Sequence, residues 1–411
     1  MKKIFIIIIS FFIIYYPPIL TFNVAFVVGG ISIFGLMIHY IKVKKIHFSN
    51  HIYNLLMILV VIFVYLTIIS IVNGTNILEA NKNTLFWTVT VIPTGLYVSI
   101  LIQNYNIQEK EYFIIEIMLM CAMIQAILVI IAYLNPSFQN WTITKMIAYG
   151  FSESRFTALS SFRWYGFAGK LGYTTPILQM FLAMVSLYLC IEKEKKYIIY
   201  FPFLFFSAII NARTSIVIFV IGVVILLVDL LRRGKIKYLG RLVFISFFII
   251  LVIGFVSIYM IKGESYNSMW INEGLESLIN ILTLNDLTSI YYFNPQKYIL
   301  PFGFHFILGK GQYTGSSLGY STDIGFVNDI YLGGILFLLI ILYFFYRVLI
   351  PFLKSETGTY RYIFFYGIIS LLISNIKGYV FSFNEFTTFF ILLSIIYYST
   401  VSSLKKGSVK K

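Results

Sequence analysis

Continuous apolar runs of about 20 residues are the feature that most constrains this 411-residue chain. A helix needs roughly 20 apolar residues to cross a bilayer, whereas the strands of a membrane barrel alternate apolar and polar side chains. Hydrophobic residues make up 59% of the chain and charged residues 11%, which excludes both a water-soluble globular protein and a disordered one. The sequence therefore predicts an all-α, polytopic integral membrane protein with about twelve transmembrane helices.

The predicted spans follow the apolar runs. They cover approximately residues 4–16, 22–41, 53–72, 85–102, 112–134, 173–191, 197–210, 216–231, 242–261, 326–346, 360–374 and 386–402. The first and seventh spans are short, and Pro17-Pro18 predicts a tight turn after the first. The first run also resembles a signal peptide, but because it lacks a small-residue cleavage site we interpret it as a retained helix.

The positions of Lys and Arg predict the orientation. Of the 31 basic residues, 21 lie at the termini or in the connections 42–52, 103–111, 192–196, 232–241 and 347–361. Basic residues concentrate in short loops on the cytoplasmic side, so both termini are predicted to be cytoplasmic. The chain is then a single membrane domain, 1–411, whose two long loops, 135–172 and 262–325, are extracytoplasmic.

The cytoplasmic connections are short and contain neither a Walker-type loop nor a G-x-G-x-x-G motif before a helix. This excludes ATP-driven transport by this chain alone, so any chemistry is expected at the outer face. The net charge of +15 is explained by membrane orientation rather than by nucleic-acid binding. Cys121 and Cys190 lie in apolar runs without a ligand-spaced partner, which favours buried structural thiols.

The first long loop gathers positive charge. It contains Arg155, Arg163 and Lys170 against one acid, Glu153, with serines, glycines and aromatic residues between them. Fixed positive charge suits a diphosphate, and aromatic faces suit sugar rings. The alternative is an interfacial loop that lies on anionic lipid headgroups.

Arg213 lies in the short polar connection 211–215, at the predicted outer edge of the membrane. Its guanidinium can extend to the lipid headgroups, or it can face inward and bind an anionic group with its planar fork. Position alone leaves both interpretations open.

The second long loop ends in a glycine-rich stretch that contains His305 and Lys310. His305 is a candidate general base or sugar ligand, or a solvated loop histidine. Asp323 and Asp329 bracket the start of the tenth span, and Asp329 is expected to need a partner, either a basic residue of the first loop or Arg213. The alternative role for either aspartate, or for the neighbouring asparagine 328, is a helix cap.

These stretches together resemble the Wzy-type polysaccharide polymerases of O-antigen and capsule synthesis, within the O-antigen ligase-like superfamily. The number of spans and the two outer loops are similar to that family. Three stretches carry the resemblance, namely Arg155 followed after ten residues by Gly166, the segment 211–216 around Arg213, and the glycine-rich segment 308–311 followed by Asp323 to Gly334. The family's second Arg-then-Gly motif is absent, because the loop 262–325 has no arginine.

The resemblance implies a metal-independent glycosyltransferase of the type-C kind, without a cofactor, in the bacterial cytoplasmic membrane. It would transfer a growing undecaprenyl-diphosphate-linked glycan onto a new lipid-linked repeat unit. The partners implied are membrane lipids, a flippase and a chain-length regulator, with no nucleic acid. The implied substrate-binding residues are Arg155, Arg163, Lys170, Arg213 and Lys310, and the proton acceptor is one of Asp323, Asp329, His305 and Glu153.

Three alternatives remain at this stage. A flippase for the same lipid-linked oligosaccharide would carry charges in many spans and have short loops on both sides. A ligase-type transferase is disfavoured because Phe306, and not a polar residue, follows His305. A scaffold protein would not require the outer arginines to converge.

Overall fold

The computed structural model describes residues 2–18, 23–44, 49–105, 109–148, 163–164, 166–169, 172–212, 214–234, 294–314, 321–378, 381–382 and 384–408. Every regular element in these residues is a helix. The predicted all-α class is therefore confirmed for the described part of the chain.

The helices follow the apolar runs closely. They are α1 (Lys2–Tyr15), α2 (Val24–Val43), α3 (Asn50–Val72), α4 (Ile77–Phe86), α5 (Ile92–Gln103), α6 (Lys110–Leu134), α7 (Pro136–Ala148), α8 (Thr174–Glu192), α9 (Tyr200–Ile209), α10 (Thr214–Arg232), α11 (Phe304–Leu308), α12 (Gly325–Leu353), α13 (Gly358–Lys377) and α14 (Glu385–Ser408). A π-helical turn, Trp87–Val91, joins α4 to α5, so that Ile77–Gln103 is one continuous helix.

Seven of these helices are long and apolar enough to cross a membrane: α2, α3, the continuous helix Ile77–Gln103, α6, α8, α10 and α12. The chain is accordingly a membrane protein. The predicted first and seventh spans are indeed short, since α1 has 14 residues and α9 has 10. The predicted span 242–261 lies outside the described residues, and the total of twelve stays a prediction.

The predicted start of the fourth span, residue 85, is wrong by about two turns. Asn76 caps the helix by accepting hydrogen bonds from the backbone of Leu78 at 3.0 Å and Glu79 at 3.2 Å. The helix then continues through Asn81, whose buried side chain donates to Thr67 Oγ1 at 3.1 Å. Hydropathy missed this segment because Asn81, Asn83 and Thr84 lower its apolar score although they are buried inside the protein.

The loop predicted over 135–172 is also partly helical. Its first part forms α7, which buries Gln139, Thr142 and Met146 and leaves Trp141 exposed. Residues 149–162 of this loop lie outside the described residues. The described end of the loop, 166–169, packs inside the bundle, because Gly169 N donates to Tyr15 O at 2.8 Å.

Helices α8 and α14 occupy the middle of the bundle. All residues from Thr174 to Leu189 are buried, and α14 packs against α1, α5, α6, α8 and α12. In contrast, only 28% of the apolar window of α2 and of α10 is buried, so these helices present apolar faces outward. Helices in lipid associate through close packing and polar contacts. An example is the stacking of Phe181 on Tyr366, whose ring centroids are 4.5 Å apart.

The contacts divide the described chain into two ends, which we name the Lys193 end and the Asp329 end. The Asp329 end holds the start of α12, the end of α13 with Lys377 and the start of α14 with Glu385. At the Lys193 end, Lys3 pairs with Glu116 at 2.9 Å and Lys193 pairs with Glu109. At the same end, Asp229 of α10 pairs with Arg233 at 3.1 Å. Successive long helices run between the two ends in alternating directions.

Candidate functional site

Helix α12 is broken at Gly333 and Gly334, whose backbone angles are not helical. The break leaves carbonyl groups without their helical partners, a situation tolerated at membrane depth only where protein supplies new donors. Here the glycine-rich segment supplies two, since Lys310 N donates to Tyr331 O at 2.7 Å and Gly311 N to Leu332 O at 3.0 Å. Tyr65 from α3 supplies the third, to Gly333 O at 2.8 Å.

Glycines are required at this break because two backbones touch. Gly309 has a φ of +82°, and a Cβ there would lie 2.5 Å from Gly333 Cα. Gly334 has a φ of +70°, and a Cβ there would overlap the carbonyl oxygen of Ile307. The glycines of the motif therefore bring the loop before α12 against the broken helix, which fixes the position of Lys310.

Asp329 lies one turn before the break and is 2% exposed. Its Oδ2 accepts a hydrogen bond from Asn375 Nδ2 of α13 at 2.9 Å. The expected partner was a basic residue, and the partner among the described residues is this amide. The helix-cap alternative for Asp329 is wrong, because α12 begins at Gly325 with Ile324 as its cap residue.

Asp323 and Asn328 occupy different environments from Asp329. Asn328 is fully buried and accepts from Thr314 N at 3.0 Å while donating to Thr322 O at 2.8 Å. It thereby joins the two described ends of the glycine-rich loop, and it does not cap the helix. Asp323 is exposed beside this junction. The structure therefore separates the two aspartates into a buried and an exposed carboxylate.

Tyr313 extends this site toward α4. Asn83 Nδ2 donates to its hydroxyl at 3.0 Å, and Lys82 Nζ lies 5.5 Å from its ring centroid. Burial is the main cause that raises the pKa of Tyr313, and the charge of Asp329 raises it further. The phenol of Tyr313 is therefore protonated at neutral pH. It lies close enough to Asp329 for the charge of Asp329 to affect its pKa.

Two further charged residues were missed by the sequence reasoning. Glu385, at the start of α14, is fully buried and accepts a hydrogen bond from Thr174 Oγ1 at 2.6 Å. Lys377, at the end of α13, donates to Thr214 Oγ1 at 2.6 Å and lies 5.8 Å from the ring centroid of Tyr173. A signal was present, because Glu385 is the only acid after residue 356.

The end of the first long loop is hydrogen-bonded to Asn211, just after α9. Trp164 N donates to Asn211 Oδ1 at 2.7 Å, and Gln139 Nε2 of α7 donates to Arg163 O at 2.8 Å. Gly166 has a φ of +54°, and a Cβ there would lie 2.9 Å from Gln125 Nε2. The glycine that ends the Arg-then-Gly pattern, Gly166, is thus required because α6 packs closely against it.

The remaining predicted site residues divide into described and undescribed ones. His305 lies in the short helix α11, half-buried, with its Nδ1 3.2 Å from Gly309 O. Lys310 places its Nζ 5.5 Å from the ring centroid of Tyr331. Four predicted residues lie outside the described residues: Glu153, Arg155, Lys170 and Arg213.

Within the described ranges, no group of three or more His, Cys, Asp and Glu side chains is placed to hold a metal ion. No family model matches this chain, and no curated protein and no solved structure matches it. The functional interpretation therefore depends on the residues themselves.

Proposed function

We propose that this protein is a membrane-embedded glycan polymerase of the Wzy type. It transfers a growing polyprenyl-diphosphate-linked glycan onto a newly supplied lipid-linked repeat unit. In this proposal the Asp329 end faces the outside of a bacterial cytoplasmic membrane, about twelve helices span that membrane, and both termini are cytoplasmic.

The observation that carries the proposal is the convergence of ionisable side chains at the Asp329 end. Asp329, Lys377 and Glu385 come from three helices and contact polar groups of α13, α10 and α8. Ionisable residues at membrane depth are costly and are usually functional. Asn211, which follows α9, and the end of the first loop, with Arg163, meet at this same end.

The chemistry needs a cationic cradle for the diphosphate leaving group and an acceptor for the proton of the attacking sugar hydroxyl. Arg163, Arg213 and Lys310 suit the first role, and Lys377 adds a fourth cation that the sequence reasoning did not include. Asp329 suits the second role, since it is held by Asn375 at the start of a broken helix. Glu385 is a second buried carboxylate of the same region.

Deletion of the gene, followed by gel sizing of surface polysaccharide, tests this function against its alternatives. We expect loss of long chains with survival of the one-unit product, because repeat units still reach the outer face. Accumulation of lipid-linked units that face the cytoplasm would instead indicate a flippase. Normal chain length in the deletion strain would contradict both functions.

Purified protein provides the second test. We expect it to elongate lipid-linked repeat units in detergent without a nucleotide-sugar donor or ATP, because both substrates already carry their glycan on a polyprenyl diphosphate. A matched preparation of the Asp329→Asn variant serves as control for contaminating activities.

A further inference from the structure

An apolar groove of about 420 Å³ lies on the lipid-facing side of the bundle, between α3 and α12. The side chains on α3 that line it, such as Val61, are about half exposed. The groove is separate from the site at the Asp329 end. It is lined by Met57, Ile58, Val61, Leu339, Ile340 and Tyr343.

A positive charge lies at the edge of this groove. Arg347 Nη1 donates to the hydroxyl of Tyr343 at 3.1 Å, and the guanidinium carbon lies 5.9 Å from the Tyr343 ring centroid. In the described part of the chain Arg347 forms no ion pair, and its guanidinium makes one hydrogen bond, the one to Tyr343. The guanidinium thus has donors available for an anion.

Along this face of α12, apolar, aromatic and cationic side chains succeed one another in the same order as the acyl chain, the interfacial region and the phosphate of a phospholipid. Ile340, Tyr343 and Arg347 are spaced by three and four residues, so they share one face of α12, and Lys354 follows directly after the helix. An apolar groove is followed by an interfacial tyrosine and then by two cations. Ser355, which follows α12, donates to Glu111 of α6 at 3.4 Å, and this contact places the end of α12 at the Lys193 end of the bundle.

We infer that this groove binds one chain of an anionic phospholipid, whose phosphate contacts the guanidinium of Arg347. The Tyr343 hydroxyl accepts from Arg347, so its own proton is available to the same phosphate. Anionic lipids of the cytoplasmic leaflet attract basic residues at this level. Arg347 lies 13 residues beyond the break at Gly334, which is about 20 Å along the helix axis, so the groove is distinct from the site at the Asp329 end. Only its assignment to the cytoplasmic leaflet rests on the proposed function.

Native mass spectrometry of the full-length protein, with phosphatidylglycerol and phosphatidylcholine added in equal amounts, tests the inference. We expect preferential binding of phosphatidylglycerol and about fivefold weaker binding in Arg347→Gln, the ratio for about 1 kcal/mol per basic residue near an anionic lipid. The matched control is Arg361→Gln, because Arg361 is an exposed arginine of the same end outside the groove.

A second variant keeps the test decisive if Arg347→Gln does not fold. Val61→Trp fills the groove and leaves Arg347 intact, so we expect it to lose one tightly bound phosphatidylglycerol. Equal binding of the two lipids to the unaltered protein overturns the inference. An equal loss of phosphatidylglycerol binding in the Arg347 and Arg361 variants also overturns it. A copurified lipid in the groove whose mass is that of a polyprenyl phosphate overturns it as well.

Discussion

Asp329 of α12 and Asn375 of α13 are joined by a hydrogen bond of 2.9 Å between two fully enclosed side chains. Gly325 makes this contact possible, because any Cβ there would overlap Asn375 and the backbone of Gly378. The two helices thus approach closely at the start of α12. The carboxylate is thereby held in one position on a rigid element, as a general base requires.

Replacement of Asp329 by Asn tests its proposed role as proton acceptor. We expect turnover per folded molecule to fall by about a hundred- to ten-thousand-fold, the usual contribution of a general base. The assay is elongation of lipid-linked repeat units by purified protein. Glu79→Gln, which removes an exposed acid near the same end, is the control. Turnover within a few-fold of the unaltered protein in Asp329→Asn would exclude Asp329 as the base and make Glu385 the next candidate.

Replacement of Lys377 by Met tests whether the cation at the end of α13 binds the diphosphate. We expect turnover to fall about ten- to hundredfold, since a charge-assisted hydrogen bond contributes about 1.5–3 kcal/mol. Lys145→Met removes an exposed lysine of α7 and should leave turnover unchanged. The same loss in both variants would point to a general effect of charge rather than to a specific contact.

Replacement of Arg213 by Lys tests the need for a planar cation in the α9–α10 turn. We expect shorter polysaccharide and roughly tenfold lower turnover, because a point charge does not replace the two parallel donors of a guanidinium. Polymer length is measured on gels at matched protein level. Full-length polymer in cells that carry Arg213→Ala would eliminate the role.

Replacement of Gly334 by Ala tests the contact between the glycine-rich loop and the broken helix. We expect a lower thermal midpoint in detergent, since both the positive φ and the contact with Ile307 penalise a Cβ, with strain alone costing about 1–3 kcal/mol. Gly303→Ala shares the positive φ but meets no atom within 4 Å, so it measures the backbone strain alone. If the two variants unfold at the same temperature, the loop contact does not stabilise the protein.

Cysteine labelling tests the orientation. In a Cys190→Ser background, we expect Asn140→Cys of α7 to react with a membrane-impermeant maleimide on intact spheroplasts. Lys195→Cys, in the exposed turn after α8, should react only after permeabilisation. Labelling of both positions from the same side would contradict the predicted topology.

The apolar runs predicted most helices because the bilayer requires continuous apolar segments of fixed length. The runs failed at the start of α4, where the buried side chains of Asn81 and Asn83 donate hydrogen bonds to other parts of the protein. The apolar runs also failed to predict α7, because this helix mixes polar and apolar residues and so contains no continuous apolar run. Both exceptions depend on tertiary contacts that a hydropathy pattern does not contain.

The candidate site was predictable only in outline. Asp329, Lys310 and the glycines around them were identified because charges and glycines are rare near apolar runs. Their mutual arrangement was not, since the break in α12 depends on Tyr65 from a distant helix. Glu385 and Lys377 were not predicted as site residues because their partners, on α8 and α10, are distant in the sequence and are brought to them only by helix packing.

The central position of α14 has a consequence for biogenesis. This helix is translated after every other described helix, yet it packs against α1, α5, α6, α8 and α12. Until α14 is made, the five earlier helices lack a partner that all of them contact. Assembly of the interior must therefore wait for α14, and a defect in this helix affects all five of its neighbours.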